Sequence, residues 1–392
     1  MKVLMVSKAC VVGAYQKKLE ELAALPGVEL TVVVPPYWRD ERGVIRLERR
    51  YTTGYELVVS PMAFNGHFHL HFYPGLLRVI RRVRPDLVHI DEEPYNLATF
   101  QGVLWARWVR ARTVIFTWQN ILRHYPPPFS LMEDHNLRHA DALIAGTNEA
   151  AAVWRNKGYR GPIHAIPQFG VDPDFFQSLE RPTRTSKLSL LQRRATRKPS
   201  QIGFVIGYVG RLVAEKGIEV LLKAVAGLSG PWQLRILGSG PDLERLEKMA
   251  QWLGIYPRVL FDRPIPSTQM PYYFSGLDAL VLPSVTRPNW KEQFGRVLIE
   301  AMACGVPVVG ARCGAIPDVI ADAGLTFAEG DVADLSSQLT LLMNDIDRRK
   351  QIAELGRTRV LARFTQEKIA EATFKVYQYT LAGEEACINQ WE

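Results

Sequence analysis

The chain has 392 residues, 47% hydrophobic and 22% charged, with a formal net charge of +8; that length exceeds one ordinary core and sets two domains as the expectation. No apolar run reaches the roughly 18 residues that cross a bilayer, and the start MKVLMVSKAC suits a first strand better than a signal-peptide core. Cys10, Cys304, Cys313 and Cys387 form neither a C-x-x-C pair nor a dense framework, which argues against a disulfide scaffold or zinc site and for a reducing, cytoplasmic location.

Apolar strand-like runs alternate with helical stretches, the signature of α/β folding with parallel sheets. In the first half strands are expected at 2–6, 29–34, 56–60, 86–90, 113–117, 141–145 and 163–166, with helices at about 13–24, 75–83, 95–110, 130–139 and 147–157. The pattern breaks at 171–202, where Asp172-Pro173, Arg181-Pro182 and Lys198-Pro199 bracket a basic Ser/Thr-rich linker. Strands resume at 203–209, 233–237, 258–261, 279–282, 306–309 and 324–327. Helices are expected near 217–228, 241–252, 269–275, 295–304, 315–320 and 331–343, with two more over 347–380. The expected organisation is a Rossmann-like domain over 1–175, a basic linker over 176–202 and a second Rossmann-like domain over 203–378. A ligand belongs in the cleft between them, at the carboxyl ends of the strands.

The positive charge is clustered. Residues 181–200 hold Arg181, Arg184, Lys187, Arg193, Arg194, Arg197 and Lys198 with no acid. Further clusters are Arg39, Arg42, Arg46, Arg49 and Arg50, and Arg78, Arg81, Arg82 and Arg84. Such patches attract sugar nucleotides, phospholipid headgroups or nucleic acid. No nucleic-acid motif surrounds them, so nucleic acid is not an expected partner. Two readings remain for 181–200: a mobile solvated linker, or peripheral contact with an anionic membrane at its inner surface.

The segment 283–309 reads PSVTRPNWKEQFGRVLIEAMACGVPVV. Pro283-Ser284 closes a strand, Gly295 opens a helix and Gly305 ends it in the left-handed conformation. Gly295 lets a ligand approach the helix N-terminus, where N–H groups and the dipole favour phosphate. Glu292 before the helix and Glu300 inside it are spaced to grip two ends of an elongated ligand, although two glutamates alone more often read as solvated helix carboxylates. Upstream, GYVGRLVAEKG at 207–217 sets Arg211 and Lys216 about a strand-to-helix turn kept low by Gly210 and Gly217. A bidentate fork and a mobile ammonium suit a pyrophosphate; an ordinary surface turn carries the same residue types. Gly238-Ser239-Gly240 is a lone Gly-x-Gly closed by Pro241, weak as a dinucleotide fingerprint. In the first half, Glu92 and Glu93 follow one strand and Trp118, Gln119 and Asn120 another; they read as acceptor or sugar contacts, or as exposed loop polars. His67, His69 and His71 alternate as metal ligands could, but read better as part of a half-buried aromatic loop.

Glu292, Phe294-Gly295, Glu300 and the run Ala301 to Val308 resemble the Glu-(seven residues)-Glu signature of glycosyltransferase family 4, retaining enzymes of the GT-B fold. GRLVAEKG at 210–217 is similar to that family's Gly-Arg-Leu-x-x-x-Lys-Gly pattern. The resemblance covers almost the whole chain, strongly in the second half and loosely in the first. It implies two Rossmann-like domains facing a cleft, with residues 379–392 crossing back to the first. It implies transfer of a sugar, with retention, from a UDP- or GDP-sugar to a hydroxyl on a saccharide, lipid-linked saccharide or small molecule. Arg211 and Lys216 would neutralise the departing diphosphate, with backbone N–H groups near Gln293, Phe294 and Gly295. Glu300 would bond the ribose and Glu292 the donor sugar. Gly13 would approach the donor phosphate, Gly210 and Gly238 would line the donor site, and Arg263, Pro264 and Ile265 would hold the base. Where many relatives have a His for the transferred sugar, this chain has Gln119-Asn120. No metal or other cofactor is implied, because Arg211 and Lys216 supply the charge. A nucleotide-sugar epimerase and a non-catalytic sugar-nucleotide-binding protein are the alternatives on the same fold.

Overall fold

The computed structural model describes residues 1–40, 43–179, 203–384 and 388–391; Arg42, Cys387 and the basic segment 181–200 lie outside the described residues. The chain divides into two compact units, Met1–Gly170 with Thr365–Glu392, and Val171–Phe364.

The first unit runs β1 (Lys2–Val6), α1 (Lys17–Ala23), β2 (Glu29–Val34), β3 (Tyr37–Asp40), β4 (Gly43–Arg46), β5 (Glu56–Val59), α2 (Leu76–Val83), β6 (Leu87–Ile90), α3 (Leu97–Trp108), β7 (Arg112–Thr117), α4 (Phe129–His139), β8 (Ala142–Ala145), α5 (Asn148–Asn156) and β9 (Ile163–Ala165). Seven strands form a parallel sheet in the order β5-β2-β1-β6-β7-β8-β9. Most positions in its central strands are buried and apolar, because both faces are covered. Leu4, Val6, Val88 and Ile90 bury in one cluster, while Val3, Met5, Val32 and Leu87 bury in another. The helix expected from residue 13 becomes α-helical only at Lys17, after 3-10 turns at Ala9–Val11 and Gly13–Gln16. The antiparallel hairpin β3–β4 was not anticipated; most of its residues face solvent, so it lacks the apolar alternation that announces a strand.

The second unit runs β10 (Phe204–Val209), α6 (Ile218–Ala226), β11 (Trp232–Leu237), α7 (Leu243–Trp252), β12 (Val259–Asp262), α8 (Met270–Ser275), β13 (Ala279–Leu282), α9 (Arg296–Ala303), β14 (Val308–Ala311), α10 (Ile316–Ile320), β15 (Leu325–Phe327), α11 (Val332–Asn344) and α12 (Ile346–Arg363). Six parallel strands are ordered β12-β11-β10-β13-β14-β15. β14 starts two residues later than expected, beyond Pro307, which has no N–H to give a ladder.

The last helix, α13 (Gln366–Ala382), belongs to the first unit. The expected boundary at 378/379 is therefore corrected: the chain returns at Thr365, whose hydroxyl caps α13 by accepting the Lys368 N–H. Ile369, Ala370, Val376 and Tyr377 are buried in the cluster that holds Leu19 and Leu22 of α1, which is why this helix sits there. No described helix is long and apolar enough to cross a membrane. Each sheet reverses its strand order once, between β1 and β6 and between β10 and β13. In open α/β sheets ligands bind at such reversals, beyond the carboxyl ends of the strands.

Candidate active site

In the second unit the turns at the reversal are pressed together by glycines. Gly210 N–H donates to Leu237 O at 3.0 Å, and Leu212 N–H to Ser239 O at 2.9 Å. A Cβ on Gly238 would stand 1.9 Å from the Gly210 carbonyl oxygen, so the turns after β10 and β11 require glycine there. Ala214–Lys216 is a 3-10 turn ended by Gly217 at φ +63°. A Cβ at Gly217 would stand 1.9 Å from Pro283 O, and Val285 N–H donates to Glu215 O at 2.8 Å. The turn after β10 is thus seated on the end of β13.

That seating puts Lys216 Nζ 2.5 Å from Glu292 Oε2, and Ser284 Oγ donates to the same oxygen at 2.6 Å. The Trp290 ring lies over the ammonium, 5.0 Å from its centroid. The Glu292 carbonyl accepts Ala315 N–H at 3.1 Å, so its backbone is anchored as well. Arg211, half-exposed, faces Glu215 at 3.4 Å. Gly295, at φ +74°, caps α9, whose first N–H groups have no partner within the helix. Inside α9, Arg296 Nε donates to Glu300 Oε1 at 2.7 Å. Gln293 is exposed, whereas Phe294 is buried with its ring 6.1 Å from that of Phe364. Arg263, Pro264 and Ile265 follow β12 in a loop, the first two exposed.

Lys216 and Glu292, expected to serve the diphosphate and the sugar separately, form one ion pair. Arg211 and Glu300 each carry a carboxylate or guanidinium partner on their own turn. Ser284, Trp290 and Arg296 were missed in the sequence. Arg296 had a readable signal: it stands four residues before Glu300 on the same helix face.

In the first unit, Ser7-Lys8 follows β1 and Asp91-Glu92-Glu93 follows β6. Ser7 Oγ donates to Asp91 Oδ2 at 2.6 Å and Gln168 Nε2 to Asp91 Oδ1 at 2.8 Å. Lys8 Nζ pairs with Glu92 Oε2, and His71 Nε2 lies 3.4 Å from that oxygen. Burial alone would push Glu92 up, but the Lys8 ammonium and His71 hold its carboxyl at about 2. Glu93 behaves oppositely: burial pushes it up to about 7 despite hydrogen bonds from Thr117 Oγ1 at 2.7 Å and Trp118 N–H at 2.8 Å. Trp118 Nε1 donates to Gln168 Oε1 at 2.8 Å. Gln119 and Asn120 are buried, the first donating to Ile121 O at 3.0 Å and the second reaching Glu149 at 3.4 Å. The reading of these residues as exposed loop polars is corrected for Glu92, Gln119 and Asn120, which are buried in internal bonds.

Gly13 is buried beneath Glu48 and Arg50, and its N–H donates to Glu48 Oε2 at 2.8 Å. The three alternating histidines diverge. His71 faces Glu92, His69 packs among Tyr95, Tyr125 and Phe129, and His67 is exposed. Among the described residues no group of three or more His, Cys, Asp or Glu is placed to hold a metal ion.

Residues 192–359 match the model for glycosyl transferases group 1, and residues 13–168 match that for the glycosyl transferase 4-like domain. The D-inositol 3-phosphate glycosyltransferase of Corynebacterium jeikeium is 32% identical over 269 residues, 64% of this chain and 61% of that protein. The GDP-mannose-dependent alpha-(1-6)-phosphatidylinositol monomannoside mannosyltransferase of Mycolicibacterium smegmatis is 35% identical over 157 residues, 39% of this chain and 41% of that protein. The chain thus spans about three fifths of the length of the first of these relatives, and less of the second. Among solved structures, Anabaena HepE in complex with UDP superposes with a TM-score of 0.72 at 20% identity, covering 96% of this chain and 100% of that one. Sucrose-phosphate synthase from Thermosynechococcus elongatus superposes with a TM-score of 0.71 at 19% identity, covering 98% and 100%. The fold is GT-B, and with one glycosyltransferase domain matched on each half the chain belongs to the glycosyltransferase family 4 type.

Proposed function

We propose that this family member is a retaining glycosyltransferase that moves a sugar from a UDP- or GDP-sugar to an acceptor hydroxyl. The observation that carries the reading is the convergence of Lys216 and Ser284 on Glu292 at the strand-order reversal, beside the glycine-built turns and the N-terminus of α9. Charge develops on the diphosphate as it leaves. Arg211, Lys216 and the N–H groups about Phe294-Gly295 are of the right sign to stabilise it, so no divalent metal is required. Glu292 orients Lys216 and bonds a donor-sugar hydroxyl, while Glu300, steadied by Arg296, bonds the ribose. The acceptor attacks on the face the diphosphate leaves; the C–O bond to the diphosphate breaks as the new one forms, and the leaving phosphate takes the acceptor proton. Glu93 and Trp118, at the carboxyl ends of β6 and β7, are the acceptor-side contacts. The acceptor is a saccharide, lipid-linked saccharide or small molecule; the two relatives named above carry inositol-containing acceptors in their names.

Incubation with a panel of UDP- and GDP-sugars, with and without lipid and saccharide extracts, tests this. Acceptor-dependent release of UDP or GDP from one donor is expected. Conversion of a donor to its epimer with no nucleotide released would replace the reading with an epimerase.

A further inference from the structure

The first unit displays large apolar side chains at the carboxyl ends of its strands. Phe64, Phe68 and Leu70 lie between β5 and α2, Leu122 lies after β7, and Leu131 is in the first turn of α4. All five are exposed, Phe64 by 59% and Leu131 by 62%. The two segments meet, because the His69 ring packs 5.6 Å from Tyr125 and 5.0 Å from Phe129, and Phe68 packs 6.3 Å from Tyr95. The display is firmly held. Ala63 and Phe72 pair as an antiparallel bridge, and the His67 and Leu70 N–H groups donate to the Phe64 and His67 carbonyls. Asn65 ties the segment to the hairpin, accepting Arg39 N–H at 3.0 Å and donating to Tyr37 O at 2.7 Å.

Phe64 has φ +50°, the left-handed region where glycine sits without cost and a bulky side chain is strained. Its ring is largely in solvent, so core packing does not account for the strain. Large apolar side chains left exposed together on two segments that meet mark an interaction surface. The patch is bordered by exposed cationic or ionisable residues: Arg39 and Arg46 on the hairpin, and Arg123 and His124 beside Leu122. Apolar tips bordered by cations match the headgroup and acyl boundary of an anionic phospholipid bilayer.

We propose that the first unit docks on an anionic bilayer through Phe64, Phe68, Leu70, Leu122 and Leu131. The docking stands independently of the glycosyltransferase reading. Taken with that reading, it makes the acceptor a membrane-borne one, because the patch shares the carboxyl end of the sheet with Glu92, Glu93 and Trp118. A second basic surface lies at the opposite, amino end of β6 and β7. There Arg81, Arg84, Arg110 and Trp108 line a cavity of about 790 Å³, and this surface serves as the control.

The test is co-sedimentation of the full chain with vesicles of one part phosphatidylglycerol to three parts phosphatidylcholine at low salt. Three variants are compared: Phe68→Ser/Leu122→Ser/Leu131→Ser, Phe64→Gly, and the control Arg81→Ser/Arg84→Ser/Trp108→Ser. The parent binds, and the triple apolar variant loses at least about tenfold in partitioning. Phe64→Gly melts no lower than the parent, since it relieves strain, yet binds less; a merely structural role for Phe64 would not give that combination. The control variant keeps most of its binding. Failure of the parent to bind, or unchanged binding by the apolar variants, would overturn the docking. Nucleotide release from the donor panel is scored separately, so failure of the transferase reading leaves the vesicle result standing.

Discussion

Lys216→Ala and Glu292→Gln, made singly and together, test whether the two residues act as one unit. Their contact is 2.5 Å, and the side chains retain only 15% and 9% exposure. A hydrogen bond between charged groups contributes about 1.5–3 kcal/mol, which corresponds to roughly 10- to 150-fold in rate if the contact persists through transfer. Ser284 Oγ donates to the same carboxylate oxygen at 2.6 Å. It keeps part of the carboxylate's orientation when Lys216 is lost, so the lower half of that range applies. Each single variant should therefore lose at least about tenfold in turnover, and the double variant should fall within about threefold of the weaker single one. The assay is steady-state UDP or GDP release from the donor the panel identifies, with melting temperatures recorded to exclude unfolding. A double variant whose loss equals the product of the single losses would refute the coupling, and parent-like turnover in either single variant would refute the site.

On the proposed reading Arg211 and Lys216 take the place of a divalent ion, so activity should persist in EDTA; complete loss restored by magnesium or manganese contradicts this. Gly217→Ala forces a Cβ to 1.9 Å from Pro283 O at φ +63°, which should destabilise the second unit by at least about 2 kcal/mol and lower its melting point by about 4–8 °C; an unchanged calorimetric transition would disprove the close approach. Glu93 titrates at about 7 in the folded chain against an ordinary value of 4.5, so the folded state holds this proton more tightly than the unfolded one. Its contribution to stability is full below pH 4.5 and is lost as pH rises to about 7. Glu93→Gln should remove that loss, so that its melting point gains on the parent's across this window; parallel melting curves would show that Glu93 does not carry the proton.

The residues that meet at the second unit's strand-order reversal were singled out in the sequence because each sits beside a backbone signal. Gly210, Gly217 and Gly295 punctuate turns that only certain residues permit, and Glu300 shares a helix with the Gly305 that ends it. Pairing over long separations was not legible. Lys216 and Glu292 are 76 residues apart, and Lys8 and Glu92 are 84 apart; no local pattern reports which two strands of a parallel sheet become neighbours. The same limit explains α13. Its buried face, including Ile369, Val376 and Tyr377, is readable as amphipathic spacing, but the identity of the surface it covers depends on tertiary contacts with α1. The hairpin β3–β4 escaped for the opposite reason, since its exposed residues leave little hydrophobic signal to read.

Both sheets place a lysine opposite a glutamate where strand order reverses. In the first, Lys8 after β1 meets Glu92 after β6; in the second, Lys216 after β10 meets Glu292 after β13. A serine hydroxyl joins each group, Ser7 on Asp91 and Ser284 on Glu292. At a reversal the connecting helices diverge to opposite faces, leaving room for side chains from two strand ends to meet. Charge buried there is costly without a partner, so the fold supplies one internally. On the proposed reading, an anionic ligand arriving at Lys216 would share the ammonium with Glu292 rather than meet a bare cation. Its binding energy is the difference between two paired states. That is the physical reason for expecting the Lys216 and Glu292 substitutions to be coupled, although the family resemblance implied separate parts of the donor for the two charges.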